Sequence, residues 1–213
     1  MRDLSEGIRH FRSRVFEPRR LFFENLAQGQ SPGALFITCS DSRIDPNLIT
    51  GCEPGELFVL RNVGNLVPAY GTNSGGVDSA IEYAVAVLGV EDVVICGHTR
   101  CGAVQGLLDP EALRDLPAVR SWLSFAGSTT LRLLKERRDD EAGSTAHDVA
   151  VETNVLAGLE LLQTHPIIID RLARGLLRLH GWVYRLETGE LTSWDAANGR
   201  FWPIGPEEFA RMP

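Results

Sequence analysis

The apolar positions of the chain fall into two rhythms. Ala34-Leu35-Phe36-Ile37, Leu57-Phe58-Val59-Leu60 and Val93-Val94-Ile95-Cys96 are short continuous runs, the pattern of buried strands. Val77, Ile81, Ala84, Val85 and Leu88 instead recur at helical spacing and predict a helix over 77–88, closed by Gly89. Asp45-Pro46 opens a short helix to Thr50, with Asp45 as cap and Pro46 at the first helical position. Helices are also expected over 103–108, 116–126, 146–162 and 166–179, with a solvated connection over 135–144. Gly181-Trp182-Val183-Tyr184-Arg185-Leu186 reads as a strand, and Thr188-Gly189-Glu190 turns it back into 191–194 as a hairpin.

Strands alternating with helices at these lengths predict an α/β fold. Its centre is a mostly parallel sheet flanked by helices, with an antiparallel edge strand near the C-terminus. Residues 4–28 predict an N-terminal helical arm, carrying Ile8, Phe11, Val15 and Phe16, broken at Pro18 and resumed by Leu21, Phe22 and Leu26. That arm packs either on its own domain or on a second subunit. From Pro203 the chain reads as a loose tail. A length of 213 residues suits one domain, 1–213, with 1–28 as the arm and about 203–213 as the tail.

Composition narrows the function by exclusion. A net charge of −7 argues against a nucleic-acid partner. No apolar run approaches the roughly 20 residues that span a bilayer, and Met1-Arg2-Asp3-Leu4-Ser5-Glu6 lacks a secretory core. The expected setting is the cytoplasm, with no membrane partner. The cysteines at 39, 52, 96 and 101 do not form a disulfide framework, so in a reducing compartment they read first as metal-binding or catalytic.

Two of the strands run straight into chemistry. The first leads into Thr38-Cys39-Ser40-Asp41-Ser42-Arg43, the third into Gly97-His98-Thr99-Arg100-Cys101-Gly102. In open α/β sheets ligands bind at these C-terminal strand ends. Cys39, His98 and Cys101 offer two thiolates and an imidazole, the set of a zinc site with one position open. The alternative, two buried thiols and a satisfied loop histidine, stays open on spacing alone. Asp41 is placed to be a fourth ligand. Two thiolates already neutralise Zn²⁺, so a bound Asp41 would leave the site negative and without a water to activate. A two-pronged ion pair with Arg43 would hold the carboxylate off the metal. A water in the freed position would have its pKa lowered from ~15.7 towards ~7.

These motifs resemble those of the β-class carbonic anhydrases. The resemblance extends through Glu53-Pro54-Gly55-Glu56-Leu57-Phe58-Val59, Arg61-Asn62-Val63-Gly64-Asn65, Ala80-Ile81-Glu82-Tyr83-Ala84-Val85 and His180-Gly181-Trp182-Val183-Tyr184, from about residue 5 to about 200. It implies reversible hydration of CO2 to bicarbonate and a proton by zinc-bound hydroxide. The implied zinc ligands are Cys39, His98 and Cys101, joined by Asp41 in a closed form; Asp41 and Arg43 form the catalytic pair of the open form. It also implies substrate contacts from Gln30, Phe58 and Tyr83 in a pocket at a dimer interface, hence a homodimer or dimer-based oligomer. One departure is informative. Bicarbonate-inhibited members carry Trp, Arg and Tyr at a second anion site; Arg61 and Tyr184 match, but the Trp position is Phe36, which has no indole N–H. The expected subtype is therefore plant-like, open at neutral pH and without strong bicarbonate regulation. Competing readings are a CS2 or COS hydrolase on the same zinc site, and a catalytically silent zinc-binding protein.

Overall fold

A computed structural model of the chain describes residues 3–72, 75–137 and 145–205. The three apolar runs become strands β1 (Ala34–Cys39), β2 (Leu57–Asn62) and β3 (Asp92–His98). They are joined by β4 (Arg178–Tyr184), β5 (Leu191–Asp195) and β6 (Arg200–Pro203) in one sheet of order β2-β1-β3-β4-β5-β6. β1 through β4 are parallel; β5 and β6 return antiparallel. The expected single antiparallel edge strand is therefore a pair. β6 is only four residues long, Arg200-Phe201-Trp202-Pro203, too short to show a rhythm, and its pairing with β5 defines it.

The strand order explains where a site can form. The chain leaves β1 towards β2 on one side, and leaves β3 towards β4 on the other. A crevice opens where connections diverge in this way, at the carboxyl ends of the adjacent strands. Cys39 ends β1 and His98 ends β3, so both stand at that switch point.

Eight α-helices surround the sheet among the described residues: α1 (Leu4–His10), α2 (Arg20–Leu26), α3 (Pro46–Thr50), α4 (Gly76–Glu82), α5 (Gly102–Leu108), α6 (Pro117–Arg137), α7 (Ala146–Leu162) and α8 (Pro166–Ala173). Asp45 caps α3 as expected, its carboxylate accepting from the N–H groups of Asn47 and Leu48. α4 runs on as a wider π-helical turn through Val87. α6 is longer than its expected 116–126: it runs on beside α7, with Leu134 buried near its end. Of the connection expected over 135–144, residues 135–137 finish α6 and 138–144 lie outside the described residues. The helix expected over 166–179 stops at Ala173. Gly175, at φ +66°, takes the left-handed conformation that ends helices, and Arg178 already belongs to β4. Of the tail, Pro203 ends β6 and 206–213 lie outside the described residues.

α7 is the central helix, burying Ala150, Val151, Val155 and Leu162 against the sheet. It lies close because β3 and β4 present glycine there: a Cβ on Gly97 would come within 2.8 Å of Val155, and one on Gly181 within 2.9 Å. The arm behaves differently. α1 and α2 contain no buried residue, and Leu4, Ile8 and Phe11 stay exposed along one stripe. Arg19 ties the arm to the chain by an ion pair with Glu53 at 2.7 Å.

At the opposite end of the sheet from Cys39, Asp92 joins β3 to β4. Arg178 donates to both its oxygens at 2.8 and 2.7 Å, and His180 Nε2 lies 2.8 Å from Oδ1. Burial alone would raise the Asp92 carboxyl, but Arg178 and then His180 outweigh it and hold it below the ordinary range. Its contribution to stability is therefore complete above the unfolded value, about 3.9, and is lost as the pH falls from there through the folded value. Asp92→Asn is expected to lower stability by about 1.5 kcal/mol, the lower end for a charged hydrogen bond because the pair is partly exposed. A urea midpoint measured at neutral pH checks this, and the deficit should shrink towards pH 3.

Candidate metal centre

The ligand candidates are delivered by two strand ends and a helix cap. Cys39 is the last residue of β1 and His98 the last of β3. Cys101 stands at the N-cap of α5, where the positive helix end favours a thiolate. Between the latter two, Arg100 turns the chain at φ +56°, unusual for a residue with a side chain. That turn is pinned outside by Glu187, which accepts from Thr99 Oγ1 at 2.6 Å and from Arg100 Nε. The Thr99 hydroxyl first, then backbone and Arg100, hold the Glu187 carboxyl down at about 2. His147 on α7 donates from Nε2 to the Cys101 carbonyl at 3.1 Å.

The result is a closed cluster. One Cys39, one His98 and one Cys101 ligand atom all lie within 4.8 Å of one another, and all three residues are buried. The sulfurs are 3.9 Å apart and unbonded. Cys39 Sγ also accepts from the N–H groups of Asp41 and Gly64, each at 3.4 Å. The Cys39 thiol is drawn far below its ordinary range, first by the neighbouring Cys101 sulfur and, against burial, by the nearby His98 ring and those two N–H groups. Cys101 is pushed up, first by Cys39 and then by burial.

The histidine decides whether this set fits a metal. His98 Nδ1 is 2.9 Å from the Thr99 carbonyl, which only accepts, so Nδ1 carries the hydrogen. In the neutral ring Nε2 then holds the lone pair, and that buried atom has no hydrogen-bond partner. An imidazole fixed through one nitrogen, with the other aimed unpaired beside two thiols, is the donor arrangement of a zinc site. The satisfied-loop-histidine alternative does not account for the orphaned Nε2.

Asp41 and Arg43 form the expected two-pronged pair. Arg43 Nε donates to Asp41 Oδ1 at 2.9 Å, Nη2 to Oδ2 at 2.7 Å, and the Arg43 backbone N–H adds a third bond to Oδ1 at 2.9 Å. The Arg43 side chain above all keeps the Asp41 carboxyl far below the carboxylate range. The carboxylate still borders the cluster, with Oδ2 3.8 Å from His98 Nε2. Arg43 Nη2 also donates to the Arg100 carbonyl at 3.1 Å, so one guanidinium links both ligand loops.

Gln30, Phe58 and Tyr83 are not brought to this cluster within one chain. Phe58 pairs in register with Leu35 while Cys39 pairs with Asn62, four residues further on, about 13 Å along the strand. Tyr83 stays with Phe58, ring centroids 5.9 Å apart. Gln30 precedes β1 in the turn where Gly33 bonds Glu56, also at the far end from Cys39. Arg61 serves the loop: it donates to the carbonyls of Cys39, Asp41 and Ile44 at 3.1, 2.7 and 2.9 Å. Phe36 is buried edge-on against Trp182 at 6.0 Å. The roles of Glu187 and His147 carry no sequence signal, since each acts across more than 40 residues on a backbone or loop position.

Comparison with known proteins agrees with this geometry. A family model described as carbonic anhydrase matches residues 34–191. A carbonic anhydrase of Synechococcus elongatus is 48% identical over 192 residues, 90% of this chain and 70% of that protein. One of Pseudomonas aeruginosa is 46% identical over 201 residues, 94% of this chain and 90% of that protein. Among solved structures, the β-carbonic anhydrase CcaA superposes with a TM-score of 0.90 at 45% identity, covering 95% of this chain and 91% of that one. A tetrameric β-carbonic anhydrase from Sordaria macrospora superposes at 0.78 with 30% identity, covering 91% and 95%. Sequence identity across nearly the whole length and a shared sheet around the Cys–His–Cys cluster make the chain a member of the β-class carbonic anhydrase family.

Proposed function

We propose that this enzyme catalyses the reversible hydration of CO2 to bicarbonate and a proton, with zinc held by Cys39, His98 and Cys101. The observation that carries the reading is the buried, unpartnered His98 Nε2 beside two thiols. When bound there, zinc lowers the pKa of a coordinated water and so supplies a nucleophile near neutral pH. The chain's own residues do the rest. Arg43 keeps Asp41 ionised and turned towards itself, which supports an open form. An ionised Asp41 at the rim of the cluster is an acceptor through neutral pH, so it orients a hydrogen-bond donor there rather than storing a proton.

CO2 is apolar, and Phe58 and Tyr83 suit a wall for it, with the Gln30 amide donating to an oxygen of CO2 or bicarbonate. Their distance from Cys39 within one chain supports a second copy as their source, and so a homodimer or dimer-based oligomer of single-domain subunits. The unburied stripe of Leu4, Ile8 and Phe11 supports the arm as part of that interface. Phe36 in its aromatic contact, and Arg61 occupied by three carbonyls, support the subtype without bicarbonate regulation. The four unbonded cysteines suit a reducing compartment, the cytoplasm; among the described residues no helix is long and apolar enough to cross a membrane.

Stopped-flow CO2 hydration on protein of measured zinc content tests the reading. One zinc per chain with hydration that bicarbonate does not cooperatively suppress is the expected result. Turnover of CS2 or COS without CO2 would favour the hydrolase instead, and zinc without turnover a silent binding protein. Light scattering should give an even multiple of 23.4 kDa; a fully active monomer would refute the second copy's contribution.

A further inference from the structure

We infer that Trp122 and Asn154 are positioning residues for the metal centre: together they aim the Gly64 N–H at the Cys39 sulfur. The inference rests on the metal-site reading above. Gly64 donates to Cys39 Sγ at 3.4 Å. The carbonyl of that same peptide belongs to Val63 and points the opposite way in a trans amide. Trp122 Nε1 on α6 donates to it at 2.7 Å. The next peptide is held from another helix: Asn154 Nδ2 on α7 donates to the Gly64 carbonyl at 2.9 Å. A carbonyl only accepts, so the Asn154 amide orientation is set. Its Oδ1 then faces Thr130 Oγ1 on α6 at 3.2 Å.

Two consecutive peptides are thus clamped on either side of Gly64, and the backbone between them needs clamping. Gly64 sits at φ +82° and Asn65 at φ +47°, the left-handed region that side chains disfavour. A Cβ at Gly64 would come within 3.0 Å of Ala103 Cβ, beside Cys101, so glycine is required. Asn154 is 2% exposed and lies far in sequence from every ligand candidate. The Trp122 bond also polarises the amide it holds, making its N–H a better donor to sulfur. An N–H bonded to a thiolate lowers the energy of the sulfur lone pair, and an outer partner of this kind orients and tunes a metal ligand.

The test is the cobalt-substituted protein. Its sulfur-to-cobalt charge-transfer bands report the energy of the thiolate lone pairs, which a merely structural residue does not move in a folded protein. Trp122→Phe keeps an aromatic ring but removes the N–H along with part of the indole; Asn154→Leu keeps the approximate shape and removes the amide. Both are expected to shift these bands to longer wavelength and to surrender zinc to a chelator about tenfold more readily than wild type. Bands unmoved in folded Trp122→Phe and Asn154→Leu would overturn the inference. If Asn154→Leu does not fold, Trp122→Phe decides it alone. A wild-type protein that takes up no cobalt or zinc would instead sink the metal-site reading itself.

Discussion

Cys101→Ser is expected to lose zinc and CO2 hydration together while the sheet stays intact. Cys101 is buried at the N-cap of α5, and its backbone is held independently by His147 at the carbonyl. Serine fits that place and caps a helix well. Its hydroxyl does not ionise at neutral pH, so the cluster keeps one thiolate and one imidazole, too few for a closed zinc set. Activity should fall to the uncatalysed background and zinc content with it. Stability supplies a second measurement. A metal that binds only the folded state at about 100 times its Kd stabilises by ~2.7 kcal/mol. The wild-type melting temperature should therefore drop on adding a strong chelator, and that of Cys101→Ser should not move. A serine variant that retained stoichiometric zinc would exclude Cys101 as a ligand.

Asp41→Asn is expected to separate metal binding from turnover. Cys39, His98 and Cys101 remain, so zinc content should match wild type. The amide, however, cannot reproduce the carboxylate. Asp41 accepts three hydrogen bonds, two from the Arg43 side chain and one from its backbone. An asparagine turns an NH2 group towards one of those donors, so the pair breaks and Arg43 loses its hold on both loops. It also removes the ionised acceptor at the cluster rim. Hydration should fall by roughly 10²–10⁴-fold, the scale of a lost proton-handling group. The pH direction follows from the depressed Asp41 pKa: its pairing with Arg43 is complete above about 3.9, the unfolded aspartate value, and is lost as the pH falls from there through the folded value. Wild-type acid sensitivity should therefore exceed that of Asp41→Asn. Normal turnover in the variant would show that the carboxylate has no part in the reaction.

Much of this site was legible in the linear chain because short-range chemistry wrote it. Cys39, Asp41 and Arg43 lie within five residues, and His98 and Cys101 within four, each group directly after an apolar run that had to become a strand. A strand end is a local consequence of composition, so the position of these side chains followed. The helix boundaries read less well where the deciding contact was distant. α6 extended because it packs along α7 beyond residue 126, and α8 stopped early at the left-handed turn of Gly175 that leads into β4. β6 was not read because four residues ending in Pro203 show no alternation; its pairing with β5, Phe201 opposite Trp194, makes it a strand. The positions of Gln30 and Phe58 came as resemblance; only the register of β1 with β2 showed them remote from Cys39 in a single chain.

The chain alone determined the ingredients: an α/β pattern, two sulfurs, an imidazole, and a carboxylate beside a guanidinium. The tertiary structure decided that they meet, because adjacency of β1 and β3 at the switch point is a matter of sheet order, which no local sequence encodes. It also decided the chemistry of each atom. The Thr99 carbonyl frees His98 Nε2, Arg43 commits Asp41 to the charged form, and Gly64, held from α6 and α7, points its N–H at sulfur. Protonation and orientation depend on what surrounds a group in three dimensions, and those surroundings are assembled only on folding.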